Sequence, residues 1–169
     1  MLGQDVALLL KLCLLSGPRI LSKTLAGELY LSPAEISMSL RRCSDSGLLH
    51  YSDLEKRVNR PALLEFLVHG LRYVFPAEQG GLVRGLPTAA AASPLKEHLI
   101  DHGEPPPVWQ YAEGHVRGIS FKPLYKSAPQ AALADAKFYE LLALSDAIRG
   151  GRTREQSMAA DYLRKALNV

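Results

Sequence analysis

The stretch from Ser32 to Gly47, SPAEISMSLRRCSDSG, gathers the residue types best suited to reading nucleic acid. Arg41 and Arg42 can each donate to guanine O6 and N7 or to a phosphate. Ser32, Ser37 and Ser39 are short donors for phosphates or base edges. Glu35 can accept from cytosine, but it also stands three residues after Ser32, the spacing of a capping box. Met38 lies on the same outer face. Lys23, Lys56, Arg57 and Arg60 flank the stretch and suit sequence-independent phosphate contacts. An ordinary amphipathic surface helix would carry much the same residues.

Other constellations suit different chemistry. Arg149-Gly-Gly-Arg152-Thr-Arg154-Glu155 brings three arginines to the expected start of a helix. Arg149, Arg152 and Arg154 could bind a phosphate or nucleotide effector, or a second stretch of DNA backbone. They could equally be a helix–helix turn tied down by Asp146 or Glu155. His98 and His102, four apart, could share a metal, but no third ligand stands at a fixed spacing, so neither a metal nor a cofactor is expected. The chain has no Gly-x-Ser-x-Gly elbow, phosphate-binding loop or dinucleotide fingerprint, and no base is spaced to activate its serines. The expectation is a binding protein, not an enzyme.

Several elements must position these groups. Ile36, Leu40 and Cys43 form one apolar stripe, with Pro33 in the first turn and Gly47 as the left-handed stop. Before this helix, residues 5–15 and 22–30 predict two more, the first capped by Asp5 and ended by Ser16-Gly17-Pro18. A very short turn joins the second to the third, a helix-turn-helix arrangement. After Gly47, residues 48–51 read as a strand and 52–60 as a basic turn, where a winged helix would place its wing. A helix is expected over 61–70 and a strand over 71–76. Residues 76–107, rich in Pro, Gly and Ala, read as an extended connector holding one short helix at 94–101. A β-hairpin over 108–121 has Gly114 in its turn and Trp109 as a packing anchor. Two helices close the chain, 129–149 and one capped by Thr153 with Gln156. Their apolar faces suit either dimerisation or the chain's own core.

LAGELYLSPAEISMSLRRC, followed by SGLL, resembles the winged helix-turn-helix of bacterial MarR-like transcriptional regulators over roughly residues 5–60. The basic turn is shorter than the usual wing of that family. NRPALLEFLVHGLRYVFP, RGISFKPLY and the stretch Phe138–Glu155 are similar to a group of uncharacterised bacterial winged-helix proteins, some encoded near nucleotidyltransferase-type toxins. The resemblance implies an α+β fold, an N-terminal winged helix-turn-helix with a C-terminal β-hairpin and helical-hairpin extension. It divides the chain into residues 1–75, the connector 76–107 and the C-terminal region 108–169.

The totals fit this reading. The chain has 169 residues, 47% of them hydrophobic, and a net charge of +3. Residues 1–60 carry eight Lys/Arg against six Asp/Glu, and 122–169 carry eight against five, whereas 61–121 carry four against six. Basic ends suit a DNA-facing module. Cys13 and Cys43 are expected as buried free thiols in a reducing, cytoplasmic setting, and no segment is apolar enough to span a membrane. The expectation is a homodimeric, sequence-specific regulator that binds double-stranded DNA. Two alternatives are a protein-interaction module, such as an antitoxin-like partner of a toxin enzyme, and a single-strand or RNA binder using Tyr111, Phe121 and Tyr125 with Arg117 and Lys122.

Overall fold

Val6 to Cys13 is apolar at every position but Lys11, and such a helix must be buried on all sides. The computed structural model, which describes residues 1–15, 20–52, 55–100 and 103–169, places it at the centre. This helix, α1 (Gly3–Leu14), packs on α3 on one side and α7 on the other. Lys11 reaches Asp135 at 2.7 Å and Glu28 at 2.8 Å, so its buried ammonium is held by two carboxylates. Asp5 is not the cap of this helix. It lies in the first turn and accepts from the Leu2 N–H at 2.7 Å. The expected Ser16-Gly17-Pro18 stop lies outside the described residues.

α2 (Ser22–Leu29) and α3 (Pro33–Asp45) follow, joined by Tyr30, Leu31 and Ser32. Tyr30 closes α2 in the left-handed conformation, φ 53°. The capping box forms as expected: the Glu35 N–H donates to Ser32 Oγ and the Ser32 N–H donates to Glu35 Oε2. Ile36, Leu40 and Cys43 are buried, and Gly47 is left-handed at φ 73°. β1 (Leu49–Tyr51) then pairs antiparallel with β2 (Lys56–Val58), His50 opposite Arg57.

Asn59 caps α4 (Arg60–Glu65), which runs through a π-helical turn (Phe66–Gly70) into α5 (Leu71–Val74). The strand expected at 71–76 is therefore helical up to Val74; the alternation of Tyr73 and Phe75 reflects an exposed helix end, not a pleat.

The expected connector contains β3 (Gln79–Pro87), the longest strand among the described residues, and short 3-10 turns at Ala89–Ala91 and Leu95–Glu97. Its glycines suggested a loop, yet one of them, Gly85, serves close packing within a strand. A Cβ on Gly85 would lie 1.9 Å from the Trp109 carbonyl oxygen. The hairpin expected over 108–121 is also corrected. β4 (Pro107–Gln110) and β5 (Val116–Phe121) each pair antiparallel with β3 and run parallel to one another.

The expected 129–149 helix is two, α6 (Ala128–Ala134) and α7 (Ala136–Gly150). Asp135 divides them because its carboxylate accepts from the N–H groups of Lys137 and Phe138, which starts a new helix. α8 (Thr153–Leu167) begins where expected, but the capping contact is one residue early: the Arg152 N–H donates to Glu155 Oε2. The architecture is α+β, and one apolar core runs from Val6 in α1 to Leu167 in α8.

Candidate nucleic-acid interface

The exposed surface of α3 carries Ser32, Glu35, Ser37, Met38 and Arg41. Glu35, Ser37, Met38 and Arg41 lie off the Ile36–Leu40–Cys43 stripe, as their spacing requires, and Ser32 is exposed as the N-cap. Glu35 is engaged: its Oε2 accepts from both the Ser32 N–H and the Ser32 hydroxyl. Those bonds hold its carboxyl below the usual range, and its role there is to fix the start of the helix.

Ser39 and Arg42 do not join this face. Ser39 is fully buried, and its hydroxyl donates to Asp5 Oδ1. Arg42 folds back onto the same carboxylate, Nε to Oδ2 at 2.8 Å and Nη2 to Oδ1 at 2.7 Å. Burial alone would raise the Asp5 pKa. The hydrogen bonds from Arg42, Ser39 and the Leu2 N–H, with the guanidinium charge, outweigh it and hold the carboxyl low. The bidentate pair locks α3 to α1. Adjacent arginines on a helix are about 100° apart, so one can face solvent while the next turns to the core.

Lys23 is exposed at the start of α2. In the β1–β2 hairpin, Arg57 is exposed with its Nε 3.5 Å from Glu55, and the Lys56 ammonium lies 5.6 Å from the centre of the Tyr51 ring. His50, opposite Arg57, is exposed as well and is not among the residues that the sequence singles out. The pairing of residue 50 with 57 was the signal, and it appears only once the register of the hairpin is known. Arg60 points elsewhere: its guanidinium donates to the carbonyls of Leu167 and Cys13, tying α8 to α1, so it is no phosphate contact.

The three arginines near α8 do not converge. Arg149 is buried, bonded to Asp146 at 2.6 Å and to the carbonyls of Phe75, Pro76 and Lys122. It fastens the chain and cannot hold an effector. Arg152 is exposed and paired with Glu104 at 2.9 Å, and Arg154 is exposed separately. Asp146 also accepts from Trp109 Nε1 at 2.6 Å and Thr88 Oγ1 at 2.9 Å. Burial raises the Asp146 carboxyl above its ordinary value, with Arg149, Trp109 and Thr88 opposing. Trp109 is thus the buried anchor it was expected to be.

His98 stacks on Tyr162 with ring centroids 6.0 Å apart, and its expected companion His102 lies outside the described residues. Among the described residues no three His, Cys, Asp or Glu side chains cluster to hold a metal. Cys13 and Cys43 are free and buried, and burial pushes their thiols up to about 11 and about 12. Among the described residues no helix is long and apolar enough to cross a membrane. No family model, curated protein or solved structure matches the chain.

Proposed function

We propose that residues 1–58 form a winged helix-turn-helix that binds double-stranded DNA, and that the protein acts as a homodimeric transcriptional regulator. The observation that carries this reading is the division of α3. One side is fixed to α1 and the core through Ile36, Leu40, Cys43 and the Asp5–Arg42 pair, while Ser37, Met38 and Arg41 stand free on the other. A helix held from behind and small in front fits the major groove, roughly 12 Å wide. Arg41 is the base-reading or phosphate-gripping residue. Ser37 assists, the Ser32 hydroxyl being spent on the capping box with Glu35, and Lys23, Lys56 and Arg57 contact phosphates. Two copies would present their α3 helices to half-sites about 34 Å apart. The apolar faces of α7 and α8 are buried within the chain itself, so pairing of the copies falls to other surfaces.

The test is fluorescence anisotropy with random duplex DNA at two salt concentrations, with light scattering for the oligomeric state. Binding should weaken steeply with salt. Removing Lys56 and Arg57 together should reduce the log–log slope by about 2, close to 0.9 for each phosphate contact. A protein that ignores duplex DNA at low salt would end this reading.

A further inference from the structure

Arg84 on β3 and Arg117 on β5 are direct cross-strand partners. Directly opposed residues project from the same face of a sheet, with Cβ atoms about 4.5–5.5 Å apart. Both side chains are exposed, and among the described residues neither guanidinium meets a carboxylate or any other partner. Like charges placed this way oppose sheet formation. Other arginines do have carboxylate partners: Arg42 with Asp5, Arg57 with Glu55, Arg149 with Asp146, Arg152 with Glu104 and Arg164 with Asp161. Two residues along both strands, Leu82 and Ile119 form the next pair on this face, and Leu82 is 52% exposed. The opposite face turns inward, where Gly85 and Gly118 lie against the Trp109 and Pro106 carbonyls.

We infer that the Leu82–Ile119 and Arg84–Arg117 pairs form a docking surface for an acidic segment of a partner protein. Its carboxylate sits between the two guanidiniums and an apolar side chain covers Leu82 and Ile119. The two pairs are about 6.6 Å apart along the strands, the i to i+2 spacing of an extended peptide. Charge complementarity selects the acid, and the apolar pair selects protein over nucleic acid, whose backbone offers no apolar group at that spacing. The surface is separate from the proposed DNA face: α1 packs on α3 on one side and α7 on the other, and the sheet is fastened to α7 through Trp109 and Asp146.

The probe is a fluorescein-labelled glutamate–leucine copolymer, titrated by anisotropy into the full chain. Arg84→Gln with Arg117→Gln should weaken binding at least tenfold (about 1.4 kcal/mol), while the charge-matched Lys126→Gln with Lys137→Gln should not. Copolymer should bind more tightly than polyglutamate. Each single Arg84→Gln or Arg117→Gln variant should raise Tm by about 1–3 °C as the repulsion is relieved. Equal weakening by the two double variants would overturn the inference. So would a fall in Tm, equal binding of polyglutamate, or displacement of the copolymer by duplex DNA. These outcomes are independent of whether α3 binds DNA.

Discussion

Arg41 and Arg42 are neighbours in sequence with opposite duties. Residue type and helical spacing showed that two guanidiniums stand near the outer face of α3. They did not show that a carboxylate 37 positions earlier lies under one of them. That partner could not be read, because Asp5 itself looked like a cap. Removing both arginines therefore mixes two effects, and the single variants separate them. Arg41→Ala should lower DNA affinity and leave stability unchanged. Arg42→Ala leaves Asp5, which is 0% exposed, short of its charged partner and should cost about 3 kcal/mol. The pH dependence carries a sign. The Asp5 pKa is depressed on folding, so its stabilisation is present above the ordinary carboxylate value of 3.8 and is lost as pH falls through the lower folded value. The gap between wild type and Arg42→Ala should be widest near neutral pH and narrow below about pH 4. Urea unfolding at pH 7 and pH 3 measures it; a constant gap would remove Asp5 from the account.

Several elements defined by local signals were legible, though the Asp135 cap that divides α6 from α7 was not, and elements defined by distant partners were not. The Ser32–Glu35 capping box, the Gly47 stop and the break at Gly150-Gly151 follow from neighbours in sequence, and each stands where it was expected. β3 was missed because its glycines read as a loop, whereas Gly85 answers to the Trp109 carbonyl contributed by β4. The 108–121 hairpin was misread for the same reason, since the strand that both halves pair with comes some twenty residues earlier. One local feature defies its residue type. Tyr30 holds the left-handed position that ends α2, which usually belongs to glycine, and its side chain is 50% exposed. Tyr30→Gly should stabilise the protein by about 0.5–1 kcal/mol, as relief of the left-handed strain exceeds the entropy that glycine loses on folding. Thermal unfolding gives the answer, and a lower Tm would mean that the Tyr30 ring contributes contacts worth more than the strain.

At the scale of the molecule, Asp146 and Arg149 act as a clasp. The carboxylate receives Thr88 and Trp109, and the guanidinium receives the carbonyls of Phe75, Pro76 and Lys122. The β3–β5 sheet, the end of α5 and α7 are thereby held by one buried ion pair. Trp109→Phe keeps the ring in place and removes a single donor from that carboxylate. It should cost about 2 kcal/mol and lower Tm without broadening the transition. A broadened or split transition would show that the sheet unfolds apart from the helices.

The central position of α1 has a consequence for biosynthesis. Lys11 finds Asp135 across 124 residues of sequence, and the other apolar side of α1 waits for α7, which follows that aspartate. At the usual pace of translation, on the order of 5–20 residues per second, α1 leaves the ribosome roughly ten seconds before its second partner exists. Throughout that interval a leucine-rich, almost wholly apolar helix is covered on one side only by α2 and α3. The nascent chain thus carries an apolar helix face that only later synthesis can cover.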